Sequence, residues 1–142
     1  MVETFTACSV DELDDITQEL KTILKNNERN IVLLNGDLGA GKTSLVKNYV
    51  FHSNSEDEAD SPTFSLVNDY KVKDGFIHHF DLYRLEDVEE IEDFGFWDYI
   101  DSKNLCFIEW ADKIADLLPQ HKVVKVDISL NLKQCREFTI SY

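Results

Sequence analysis

Arginine is scarce in this chain: Arg29, Arg84 and Arg136 are the only three. Three scattered arginines supply neither an arginine-rich lid nor a basic acceptor pocket. Cysteine is equally sparse. Cys8, Cys106 and Cys135 are too few and too scattered to predict a disulfide framework or a zinc site. Cys106 lies in an apolar run and reads as core. No apolar run approaches a membrane span, and no charged-then-apolar leader opens the chain, so a cytoplasmic location is expected. No repeat, low-complexity tract or linker interrupts the sequence. Its 142 residues predict one domain over 1–142. Bases are outnumbered, 14 against 28 acids, for a formal net charge of −14. Such a surface repels phosphate backbones and argues against autonomous nucleic-acid binding. The acidic runs Glu56-Asp57-Glu58 and Glu86 to Asp93 read as solvated faces or as a docking surface for a basic protein.

What is present is a Walker A loop. Gly36-Asp37-Leu38-Gly39-Ala40-Gly41-Lys42-Thr43 fits G-x-x-x-x-G-K-[ST] at every fixed position. Its flanks fit as well. Asn30-Ile31-Val32-Leu33-Leu34 is a short apolar run, read as a buried strand. Ser44 to Phe51 places apolar residues at helical spacing. Glycines let successive backbone N–H groups turn inward around phosphate oxygens, and the helix start adds its dipole. Asp37 to Ser44 are therefore the expected nucleotide-binding residues. Lys42 is expected at the β and γ phosphates, and the Thr43 hydroxyl on Mg²⁺.

Further elements follow from local signals. Ser9 and Glu12 form a capping-box signature, and Leu13, Ile16, Leu20, Ile23 and Leu24 recur at helical spacing. Phe64 to Val72 reads as a strand, Asp74-Gly75 as a tight hairpin, and Phe76 to Tyr83 as the returning strand. An acidic helix is expected near Glu86 to Asp93. Leu105 to Trp110 reads as a buried strand ending in an acid. Ala111 to Leu118 reads as a short helix stopped by Pro119. Lys122 to Leu130 and Gln134 to Tyr142 look like an antiparallel pair. The expected architecture is α/β: a P-loop NTPase fold of three layers, with a mixed central sheet covered by helices on both faces.

A phosphate loop needs an acid at a neighbouring strand end to hold Mg²⁺ and its waters. Glu109 ends the strongly apolar Leu105–Ile108 run and is the better-placed candidate. Asp81 ends a less apolar strand and is the second. Thr63, after Pro62, is a third candidate, where a switch segment can close over the γ-phosphate; a plain turn threonine is its rival. His78 and His79 alternate faces, so at most one points toward a site. Trp110, beside Glu109, is a nearby fluorophore if it lies at the site. No N-K-x-D base-reading motif is found, which favours ATP over GTP.

Asn35 to Thr43, Ser61-Pro62-Thr63-Phe64, His79 to Arg84 and Ile108-Glu109-Trp110 resemble, in order and spacing, the motifs of the TsaE (YjeE) family. The resemblance spans residues 35 to 110. It implies a bacterial Mg²⁺-dependent ATPase needed to make N6-threonylcarbamoyladenosine in tRNA. It implies a partner, the TsaB–TsaD transferase heterodimer, with tRNA met only through that partner. Carried over, Lys42 binds phosphate, Thr43 and Glu109 hold Mg²⁺, Thr63 is the switch threonine and Asp81 serves activity. The family's site also draws on an N-terminal region and a late strand, which fall near Asp11-Glu12 and Asn131. No residue is an obvious arginine finger, so activity of the isolated protein is expected to be slow and partner-dependent. Arg84 is the one nearby candidate, with orientation of Asp81 or partner contact as its alternatives. Two other readings compete: a small P-loop kinase, and a nucleotide-dependent binding switch.

Overall fold

A computed structural model describes residues 1–55, 59 and 66–142. The strands expected over 30–34, 105–110 and 76–83 form over 31–35, 105–109 and 75–81 and lie side by side in one sheet. The sheet has seven strands: β1 (Val2–Ala7), β2 (Ile31–Asn35), β3 (Val67–Val72), β4 (Gly75–Asp81), β5 (Leu105–Glu109), β6 (Val123–Leu130) and β7 (Arg136–Ser141). Their spatial order is β1-β7-β6-β2-β5-β4-β3. β6, β2, β5 and β4 run parallel, whereas β1–β7, β7–β6 and β4–β3 pair antiparallel. The sheet is therefore mixed. Its central strands are apolar runs because both faces are covered.

One face carries the helices α1 (Val10–Asn26) and α2 (Lys42–Phe51). Leu13, Ile16, Leu20, Leu45, Val46 and Val50 bury there against Val32, Leu34, Phe107 and Val126. The other face carries the short helices α3 (Glu90–Asp93) and α4 (Phe96–Asp101) and the segment after β5. Ile91, Phe96, Ile100, Ile114 and Leu118 pack there on Ile31, Leu33, Phe80 and Ile108. Alternation along β2 and β5 sends successive side chains to the two cores.

The capping signal at Ser9 holds, with a shift. Ser9 Oγ accepts from the Glu12 N–H at 3.3 Å, but the Glu12 carboxylate reaches back to the Cys8 N–H, at 2.8 Å. The acidic helix is shorter than expected. Residues 86–89 do not join it, and only Glu90–Asp93 is helical, with Glu86, Asp87, Glu89, Glu92 and Asp93 exposed. Three carboxylates within one turn repel each other, and Ile91 is the helix's only buried anchor. Of the helix expected over 111–118, only Ala115–Leu117 forms, as a 3₁₀ turn. The strand expected over Phe64–Val72 begins, among the described residues, at Val67. The edge strand β1 and the helix α4 carry no clear periodicity in sequence.

The expectation of no disulfide is corrected. Cys8 and Cys135 are bonded, with Cα atoms 4.4 Å apart. They are 127 residues apart in sequence, which is why spacing hid the pair. The β1–β7 register pairs Ala7 with Arg136, so the next position outward sets Cys8 opposite Cys135. Cys106 is free and buried, as expected. Among the described residues no helix is long and apolar enough to cross a membrane.

Candidate functional site

The site gathers at the carboxyl ends of the parallel strands, where open α/β sheets bind ligands. The loop 36–41 leaves β2 there and runs into α2. Gly36 can carry no side chain: a Cβ would lie 2.7 Å from the Ile128 carbonyl oxygen. Gly41 caps α2 in a left-handed conformation, φ 118°, with no side-chain hydrogen bond to the helix start. The first N–H groups of α2 are thus left to face a ligand. Leu38 projects from the loop with 80% of its surface exposed.

Lys42 is buried, donates to the Gly36 carbonyl at 2.5 Å, and lies 3.8 Å from the centre of the Trp110 ring. Its ammonium is thereby held at the loop, against a cation–π surface. Trp110, at φ 58°, turns the chain away from the end of β5, and Tyr83 packs on its ring at 5.0 Å.

Register brings the two candidate acids together. Leu34 pairs with Glu109, and Glu109 pairs with Asp81, so both carboxylates stand on the face that carries α2. Glu109 is buried. The Thr43 hydroxyl faces both of its oxygens, at 3.3 and 3.5 Å. His79 Nε2 lies 2.5 Å from Glu109 Oε2. Asp81 is half-buried and accepts from the Tyr83 N–H at 3.0 Å. Burial, with the Glu109 charge adding, pushes its carboxyl above the usual range; the Tyr83 hydrogen bond, His79 and Lys42 oppose this.

A cleft of about 190 Å³ joins Leu38, Gly39, Gly41, Lys42, Thr43 and Ser44 to Asp81, Glu109, Trp110 and Arg136. A larger cavity, about 700 Å³, lies between α1 and α2 and shares only Ser44 with that cleft. It contains neither Lys42 nor the acids, so the chemistry points to the smaller one. The side-chain oxygen donors lining the cleft are two hydroxyls, of Thr43 and Ser44, and two carboxylates, all hard oxygens. That sparse set fits Mg²⁺, which keeps several waters and takes few protein ligands. Among the described residues no group of three or more His, Cys, Asp or Glu is arranged to hold a metal.

Two further residues stand at the site: one was expected only as one of a pair, and the other was not singled out in sequence. His79 is one: the alternation of His78 and His79 is observed, but both are buried and His79 alone meets Glu109. His78 instead bonds Asp69 at 2.7 Å and Asn104 at 3.1 Å. Arg136 is the other. Its guanidinium lies 3.0 Å from where a Gly41 Cβ would sit. Asn131, the late-strand position expected there, instead caps the β6–β7 turn, accepting from the N–H groups of Lys133 and Cys135 at 2.9 and 3.1 Å. The scarcity of arginine was the available signal for Arg136. Asp11 and Glu12 lie in the first turn of α1, and neither lines the cleft. Thr63 lies outside the described residues.

This architecture is that of a solved structure, Bacillus subtilis YdiB. The two superpose with a TM-score of 0.70 over 99% of this chain and 84% of that one, at 24% identity. The family model for threonylcarbamoyl adenosine biosynthesis protein TsaE matches residues 8–138, and the chain belongs to that family. Relatives described as tRNA threonylcarbamoyladenosine biosynthesis protein TsaE include one from Haemophilus influenzae, 40% identical over 75% of this chain and 67% of its own length. Another, from Rickettsia felis, is 43% identical over 76% of this chain and 62% of its own. A third, from Rickettsia bellii, is 40% identical over 86% and 83%.

Proposed function

We propose that this chain is a Mg²⁺-dependent P-loop ATPase, a single domain over 1–142, that serves N6-threonylcarbamoyladenosine formation in tRNA. The observation that carries the reading is the meeting of Lys42, Thr43, Glu109 and Asp81 at one cleft beneath a glycine loop. Membership of the TsaE family supports the pathway. The loop N–H groups and Lys42 bind the phosphates. Thr43 and Glu109 would hold Mg²⁺, which when bound neutralises charge on the β and γ phosphates. Asp81 orients the attacking water from the neighbouring strand end. Arg136 faces the phosphate loop from β7 and adds a second positive charge to Lys42 at a cleft that also holds two acids. Thr63 is assigned the switch-threonine role by the family resemblance alone.

The partner is a TsaB–TsaD heterodimer. A chain with net charge −14 would leave tRNA contact to that partner. The test is reconstitution of the tRNA modification from purified components, with this protein omitted or added, alongside phosphate release. Modification should need the protein and ATP over repeated turnovers, and phosphate release should rise with the heterodimer. Undiminished modification without this protein would overturn the reading.

A further inference from the structure

We propose that His79 is a positioning residue: it fixes the rotamer of Glu109 and so sets how tightly the site takes Mg²⁺. The inference rests on the reading of the cleft as a Mg²⁺–nucleotide site, and asks what holds that site's most buried acid in place.

Register explains how the two residues meet. His79 on β4 pairs with Phe107 on β5. Glu109 lies two residues further along β5, on the same face, so the imidazole reaches it diagonally across the parallel pair. The contact is Nε2 to Oε2 at 2.5 Å. Both side chains are buried, with relative exposures of 0% and 4%. A carboxylate oxygen only accepts, so Nε2–H donates. The ring's other nitrogen, Nδ1, is buried and has no hydrogen-bond partner among the described residues.

That orphaned atom separates positioning from packing. A buried polar atom without a partner destabilises the fold. A leucine or phenylalanine would fill the same space against Phe107 without that cost. What the imidazole supplies, and an apolar side chain cannot, is its single bond to Glu109. The bond engages Oε2 from the β4 side while Thr43 faces both oxygens from α2. Glu109 is held between two elements and its carboxylate plane has one orientation. Oε1 stays clear of the histidine and is available to a cation or its water. Partners of this kind raise metal affinity by removing the freedom a ligand would otherwise lose on binding.

The experiment measures binding without turnover. Calorimetry follows the non-hydrolysable analogue AMP-PNP with and without MgCl₂, in wild type, His79→Leu and His79→Gln. Thermal melts check the fold. In His79→Leu the Mg²⁺ concentration for half-maximal binding should rise about 10-fold or more. Mg²⁺-free AMP-PNP affinity should stay unchanged, because the loop and Lys42 carry it. The glutamine amide nitrogen reaches about as far as Nε2 and donates likewise, so His79→Gln should restore most of the Mg²⁺ dependence. If His79→Leu does not fold, His79→Asn takes its place: its amide is polar but too short to reach Oε2. A folded His79→Leu (or His79→Asn) with the wild-type Mg²⁺ midpoint overturns the proposal. So does equal loss of Mg²⁺-free binding in all variants, which marks a merely structural histidine. Wild-type binding that ignores Mg²⁺ would instead overturn the reading of the cleft itself, and this inference with it.

Discussion

The ends of β5 and β4 lie side by side, each closing on an acid, and the two acids live in different surroundings. Glu109 is buried and gripped by His79 and Thr43. Asp81, its register partner, is half-buried and spends one oxygen on the N–H of Tyr83. The difference follows from neighbours. β5 is flanked on both sides by parallel strands, so its end sits deep in the sheet, under α2. Beyond β4 lies only the edge strand β3. Equivalent register therefore yields one enclosed carboxylate, bonded to side chains of two elements, and one half-exposed carboxylate at the same cleft. The first arrangement suits a metal ligand and the second suits a group that handles water.

The widest effect should come from the cation that both ends share. Lys42 lies on Trp110, next to Glu109, and its charge also reaches Asp81. Lys42→Ala should weaken ATP binding by about 3 kcal/mol, on the order of 100-fold. Undiminished MgATP binding by the folded variant, measured by calorimetry, would remove the phosphate-loop assignment and dissolve the comparison.

Separating the two acids should have a smaller effect. Glu109→Gln and Asp81→Asn keep size and lose charge. Each should keep nucleotide binding and lose at least ~10-fold in hydrolysis, a barrier increase of roughly 1.4 kcal/mol. Only Glu109→Gln should also blunt the Mg²⁺ dependence, since a hard cation prefers a carboxylate to an amide. Matching Mg²⁺ profiles for the two variants would show that the acids share one role. A wild-type rate for either, with the heterodimer present, would make that acid a bystander.

Stability of the nucleotide-free protein should sharpen the contrast, because the two ends respond with opposite sign. Glu109→Ala strands the donor of buried His79 and should cost about 1–3 kcal/mol. Asp81 is a carboxyl whose pKa is raised by folding, so its ionised form costs stability. That cost is present in full above the folded pKa and is absent below the unfolded value, near 3.8. Asp81→Asn should therefore raise the melting temperature slightly at pH 7, and the gain should fade as the pH falls toward 4. A melting temperature lowered by Asp81→Asn at pH 7 would show that its charge is compensated after all.

Much of this was legible in the sequence. The loop, the strand before it, the helix after it and both acids carry local signals, because phosphate chemistry demands particular residues at fixed spacing. The β6–β7 pair and the Asp74-Gly75 hairpin were legible for the same reason: the determinants are neighbours in the chain. What escaped depends on contacts distant in sequence. Arg136 reaches the loop only because β7 pairs with β6, and β6 with β2. His79 meets Glu109 only through the β4–β5 register. The 127-residue separation of Cys8 and Cys135 gives no spacing to read. β1 and α4 lack periodicity because edge and connecting elements bury less of themselves.

The Cys8–Cys135 bond turns most of the polypeptide into a covalent ring. Every helix, the glycine loop, both acids and five of the seven strands lie inside it; β1 and β7 hang outside as two paired tails. A protease that cuts once anywhere within the ring leaves a nicked molecule of unchanged mass on a non-reducing gel, apart from one added water. The same cut followed by a dithiol reductant releases two fragments. Where thiols are kept reduced, the tails are still joined by the β1–β7 ladder, the terminal hydrogen bonds between Met1 and Tyr142, and the Tyr142 hydroxyl, which donates to Glu3 at 2.7 Å.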